Sequence, residues 1–178
     1  MSSPAGIPGT LVALPLPGRK PRTLDGFWTT GARRAPTLLI FVHGMGSNFY
    51  KSKFKKAWLR LGPRHGVDVL TFNNRGCEGD VATEHFRDCL ADIDAALAFA
   101  RREGYRRIVL LGHSTGCQKI TYYVHRRRPR DVAGLILAAL GDDLAIAQRD
   151  LGRRYPHWLE KARRLVAEGK GETRLPAA

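Results

Sequence analysis

The sequence predicts an α/β domain with a mostly parallel central sheet flanked by helices. Short apolar runs alternate with segments of helical periodicity, as expected when each strand is followed by a crossover helix. The run at 37–42, Thr-Leu-Leu-Ile-Phe-Val, is apolar throughout instead of alternating, which fits a strand covered on both faces. A length of 178 residues suits one domain with its own core and needs no disulfide or metal to hold it.

The elements follow in order. Residues 1–23 are rich in Pro and Gly and read as an irregular N-terminal segment. Residues 24–30 can form an edge strand, and 31–36 is a basic turn into the strand at 37–42. Ser47 or Asn48 could cap the next helix, which runs to about Leu61 with Phe54, Trp58 and Leu61 at helical spacing and ends at Gly62 and Pro63. A strand at 67–72 precedes a turn-rich loop at 73–83. The segment 84–103 carries Phe86, Leu90, Ile93, Leu97 and Ala100 on one helical face, with Gly104 as its stop. A short buried strand at 107–111 runs into Gly-His-Ser-Thr-Gly at 112–116 and a helix from about Thr115 to Arg127. Pro129 breaks that helix before a strand at 132–139. The rest is helical and charged with no further apolar strand, which divides the chain into a core at 24–141 and a helical, lid-like tail at 142–178.

Thirty Lys and Arg stand against sixteen Asp and Glu, a formal charge of +14. Twenty-two of the thirty are Arg. They fall in five groups along the chain, mostly at helix ends and polar helix faces, not as the single stripe with interleaved aromatics that a nucleic-acid module more usually carries. They therefore read as a solvated surface, and nucleic acid is not the expected partner. Cys77, Cys89 and Cys117 form no CxxC pair, so neither a disulfide framework nor a metal site is expected. The longest apolar run is too short to span a bilayer and no signal peptide is evident, so the expected protein is soluble and cytoplasmic.

Chemistry concentrates at Ser114. A Gly-x-Ser-x-Gly turn between a buried strand and a helix leaves room for a strained backbone that pushes the serine hydroxyl toward substrate; the alternative is an ordinary strand-to-helix turn. His43-Gly44-Met45-Gly46 follows the strand at 37–42, where a second loop can supply an oxyanion donor. The backbone amides of Met45 and Thr115 are the candidate pair.

With His43 to Tyr50 reading His-Gly-Met-Gly-Ser-Asn-Phe-Tyr, an Asn-Arg-Gly loop at 74–76 and Gly-His-Ser-Thr-Gly-Cys-Gln at 112–118, the sequence resembles the α/β-hydrolase superfamily, in a branch of serine-hydrolase-like proteins. The resemblance implies a catalytic Ser114, no metal or organic cofactor, and acyl transfer on an ester, thioester or amide of a small-molecule acyl substrate. Such enzymes carry Ser, then an acid, then a general-base histidine after the last strand. Here the chain stops after the tail, with no histidine beyond His157 and without those last strands, so an incomplete form is expected. Asp142, directly after the strand at 132–139, is the candidate acid, with helix capping as its alternative. Arg75 is a candidate binding residue or a loop-fixing donor. His125, eleven residues along the helix from Ser114, would lie about 16 Å away. Two classes of function remain. One is a serine hydrolase, weak or inactive for want of its base. The other is a non-catalytic binding or scaffold protein, a homo-oligomer or one completed by another chain at the exposed sheet edge.

Overall fold

The computed structural model describes residues 6–18, 22–79 and 84–173, which cluster into two compact units, Met1–Leu140 and Gly141–Ala178. In the first unit β1 (Thr10–Leu16), β2 (Arg22–Thr29), β3 (Thr37–Val42), β4 (Val67–Phe72), β5 (Arg107–His113) and β6 (Val132–Ala138) form one sheet in the order β1-β2-β4-β3-β5-β6. The β4-β3-β5-β6 portion is parallel, and β2 pairs antiparallel with both β1 and β4. This is the mostly parallel sheet that the alternating pattern predicts.

Two expectations need correcting at the N-terminal side. The segment expected to be irregular contributes β1, whose Leu14 and Leu16 are buried while Ala13 and Pro15 face out. The prolines that made 1–23 read as irregular include Pro15, and an edge strand tolerates a residue that donates no ladder bond. Residues 24–30, expected at the edge, are consequently interior, between β1 and β4.

Three helices cover the sheet: α1 (Lys53–Leu61), α2 (Cys89–Arg102) and α3 (Thr115–Arg127). Along β3 the side chains divide between two cores. Leu38, Ile40 and Val42 pack with Ile93, Leu97 and Ile120 of α2 and α3, whereas Leu39 and Phe41 pack with Leu59 of α1. A strand buried on both faces has no reason to alternate, and each such side chain contributes about 2 kcal/mol of transfer free energy.

The first helix differs from expectation in start and in face. Ser52 is its N-cap, accepting from Lys55 N, while Asn48 Oδ1 accepts from Tyr50 N and Lys51 N to make a separate turn upstream. Its inner face is Lys55 and Leu59; Phe54 and Leu61 are exposed. The helix expected at 84–103 begins as a 3-10 turn at Phe86–Asp88 and becomes α-helical at Cys89. Asp68, an acid within an apolar strand, is fully buried; its carboxylate accepts from the Gly31 and Ala35 amides and the Tyr105 hydroxyl, which fixes the chain's entry into β3.

The second unit holds α4 (Asp143–Leu151), a 3-10 turn (Gly152–Arg154) and α5 (Tyr155–Ala167). Asp142 caps α4, its carboxylate accepting from Ala145 N at 3.0 Å. Among the described residues no helix is long and apolar enough to cross a membrane.

Candidate active site

Ser114 sits between β5 and α3 with φ 54° and ψ −130°, a conformation that non-glycine residues rarely adopt and that costs on the order of 1–3 kcal/mol. Close approach makes the turn possible. A Cβ on Gly116 would lie 2.1 Å from the Val42 carbonyl oxygen, and one on Gly112 would lie 2.5 Å from the Gly116 carbonyl. The two glycines let α3 press directly onto β3 and β5. Gly44 faces the turn from the β3 side, where an added Cβ would sit 2.9 Å from Ser114 Cβ and 3.3 Å from its Oγ. The hydroxyl therefore projects from an exposed residue onto bare backbone.

The residues of the two candidate oxyanion donors meet here. Thr115 is the first residue of α3, where backbone amides have no intrahelical acceptor and the helix dipole favours negative charge. Met45 N donates to Thr115 Oγ1 at 2.8 Å, so the loop amide is aimed at the residue after Ser114.

That loop is held from beneath. Gly46 N donates to Gly76 O at 3.1 Å, Glu78 N to Ser47 O at 3.2 Å and Phe49 N to Asn73 Oδ1 at 2.9 Å. Buried Asn48 donates to Glu78 Oε1 at 2.6 Å, and Glu78 also pairs with Lys51 at 3.2 Å. These contacts lower the Glu78 carboxyl from its usual range, the Asn48 hydrogen bond most of all. Lys55, 1% exposed, points inward from α1, donates to the Asn48 carbonyl and lies 5.2 Å from the centre of the Phe41 ring. Burial lowers its ammonium to about 8.

His43 lies under the same loop. Its Nδ1 is 2.7 Å from the Gly44 carbonyl, and since a carbonyl only accepts, Nδ1 carries the proton. Nε2 is buried with no hydrogen-bond partner among the described residues. Burial, with smaller contributions from Lys55 and Lys119, outweighs the Gly44 bond and takes the ring from 6.5 down to about 3, so His43 is neutral.

Arg75 makes the contacts of a loop-fixing donor. Its Nε donates to Asp92 Oδ1 at 2.7 Å, its backbone N to Asp92 Oδ2 at 2.8 Å, and its Nη2 to the Asp88 carbonyl at 2.8 Å. Asp92 is 1% exposed, and burial raises its carboxyl even against the Arg75 contacts. Asp142 is engaged as the α4 cap. Ser114 Oγ has no hydrogen-bonded base among the described residues. His113 packs against Phe41 and Phe54, and the His157 ring, in the second unit, lies 5.7 Å from Trp158.

Sequence reasoning missed Lys55, Asn48 and Glu78 as supports of the loop. Lys55 was hidden in a run of lysines, and its four-residue spacing from Leu59 was the available signal.

No curated protein matches the sequence. Solved structures of esterases and related proteins do match in fold. A protein from Agrobacterium vitis S4 superposes with a TM-score of 0.65 at 20% identity, covering 90% of this chain and 62% of its own. A Pyrococcus furiosus esterase gives 0.63 at 15% identity, with 85% and 60% covered, and the siderophore hydrolase EstB of Aspergillus fumigatus gives 0.63 at 22%, with 90% and 52%. This chain thus spans about half to three fifths of the length of these structures. The model of the alpha/beta hydrolase family matches residues 39–177, from within β3 to the C-terminal end. The strand-to-helix turn at Ser114, the Gly44–Met45 loop against it and the sheet that presents both are accordingly those of a chain that belongs to the alpha/beta hydrolase family.

Proposed function

We propose that this chain carries the acylation half of a serine hydrolase acting on ester-type bonds of a small-molecule acyl substrate. The observation that carries the reading is the positive φ of Ser114, held with its hydroxyl against bare Gly44 backbone. In this reading Ser114 Oγ attacks the acyl carbon and gives up its proton to a base. The carbonyl oxygen takes up the negative charge, and the tetrahedral adduct collapses to an acyl-enzyme with loss of the alcohol, thiol or amine. Backbone amides of Met45 and Thr115 hold the oxygen as charge develops, an interaction worth about 3 kcal/mol per donor in related chemistry. No base is hydrogen-bonded to Ser114 Oγ among the described residues, and residual rate without one comes from the oxyanion donors and binding. Intact-mass measurement after incubation with a fluorophosphonate tests the reading. One adduct, absent in Ser114→Ala, supports it; an unlabelled chain that is shown by circular dichroism to be folded overturns it.

A second reading rests on β6. This strand ends the sheet, and its Leu135 and Leu137 are 37% and 46% exposed. A scaffold completed by a second chain at that edge would show as a sedimentation coefficient that rises with concentration, with Ser114 unlabelled throughout.

A further inference from the structure

The basic groups that are dispersed along the sequence converge at one end of the sheet. The register aligns Thr37 with both Val67 and Arg107, and Ile108 with Val132, so the starts of β4, β3, β5 and β6 stand in a row. The segments feeding that row, 31–36, 63–66, 101–107 and 126–131, contain eleven arginines and two acids, Glu103 and Asp131. Arg34 pairs with Glu103 at 3.2 Å, Arg101 with Asp131 at 2.7 Å, Arg102 with Glu103 at 3.8 Å, and Arg127 with Asp94 at 2.8 Å. Arg33, Arg64, Arg106, Arg107, Arg126, Arg128 and Arg130 are exposed and make no ion pair among the described residues.

Helix dipoles explain only part of this. Arg101, Arg102, Arg126 and Arg127 occupy last turns, where a cation is favoured by about 0.3–1 kcal/mol. Arg33, Arg64, Arg106, Arg107 and Arg130 lie outside α-helices, so helix stability does not account for them. Nor does the rim suit a bilayer. Surface-bound segments bury apolar anchors, and no large hydrophobic side chain is exposed in 101–107 or 126–131. What remains is a row of guanidinium groups, whose planar forks match phosphate oxygens two at a time.

We propose that this strand-entry rim binds the sugar–phosphate backbone of a nucleic acid without reading its bases. Four strands at about 4.8 Å spacing span about 14 Å, the axial length over which one strand of a duplex presents about four phosphates. Four neutralised phosphates give a slope of about −3.6 in log K against log salt, or about 150-fold weaker binding at 200 mM than at 50 mM. The rim is separate from Ser114 and does not depend on its chemistry.

The test is fluorescence anisotropy of a labelled 20-base-pair duplex titrated with the full chain between 50 and 200 mM NaCl. The expected result is saturable binding with a slope near −3 to −4. It falls to near zero in R106S/R107S/R128S/R130S and is unchanged in R153S/R154S/R163S/R164S, which removes the same charge from the second unit. If the fourfold rim variant fails to fold, R106S/R107S and R128S/R130S are measured separately, each reducing the slope by about two. Absence of binding at 50 mM, equal loss in the control variant, or capture by vesicles of anionic phospholipid but not by the duplex overturns the proposal.

Discussion

Where β3, β4 and β5 leave the sheet, charged side chains are spent on one another and on backbone: Arg75 on Asp88 and Asp92, Lys119 on Glu84, Lys51 on Glu78, and Lys55 on the Asn48 carbonyl. Where the same strands enter, seven arginines face solvent without an acidic partner among the described residues. The difference lies in pairing more than in charge. Buried or crowded groups are largely satisfied by protein, His43 Nε2 apart, because leaving them unmet costs about 1–3 kcal/mol each, and the result is a loop tied down by hydrogen bonds beneath Ser114. Exposed groups carry no such requirement and stay open to a partner from solution.

Substitutions can break or sharpen this contrast. The largest effect is expected for Gly116→Ala at the exit end, where the new Cβ meets the Val42 oxygen at 2.1 Å; a loss of about 3 kcal/mol or more, or failure to fold, should appear in thermal melts. At the entry end Gly66 and Gly104 have φ of +74° and +84° but open space around them, so alanine there should cost only about 1 kcal/mol. Equal losses at both ends would erase the contrast.

Next comes acid. His43 is neutral in the fold down to about 3, whereas in the unfolded chain it protonates near 6.5, so its contribution is complete above 6.5 and is lost as pH falls. The slope is about 1.4 kcal/mol per pH unit, or about 3 kcal/mol by pH 4.5. His43→Gln should flatten the dependence of chemical-denaturation midpoints over that window, and an unchanged profile would count against a buried neutral ring.

A smaller effect is expected for Thr115→Val, which removes the acceptor of the Met45 amide. The fluorophosphonate labelling rate should fall about fivefold, from a hydrogen bond worth about 1 kcal/mol, while Thr115→Ser keeps the rate. The smallest belongs to the entry end: Arg106→Ser and Arg130→Ser should each change stability by less than about 0.5 kcal/mol, since both are exposed and neither makes an ion pair among the described residues.

Periodicity made the parallel strands and α3 legible, because an apolar run such as 37–42 permits few other environments. The turn at Ser114 was legible too, since its glycines are required by backbone contact and therefore appear in the sequence as a fixed spacing. The inner face of α1 was not. Phe54 and Leu61 outrank Lys55 in hydrophobicity, yet Lys55 is inside because the carbonyl of Asn48, in the loop six residues beyond the end of β3, needs a donor, and that need is visible only once β3 and α1 are packed. Asp68 was obscured in the same way, its acceptors serving amides more than thirty residues away. The arginines were plain as composition, but their convergence depends on strand register, which no linear count contains.

The two margins of the sheet also differ in how they meet another strand. β1 carries Pro15 on its outer side, a residue with no ladder donor, whereas β6 offers Ala133, Leu135 and Leu137 with neither proline nor charge to interrupt them. Among the described residues the sheet thus has one blunted and one receptive margin, and a single strand added at β6 would leave no second receptive margin from which a fibre could grow.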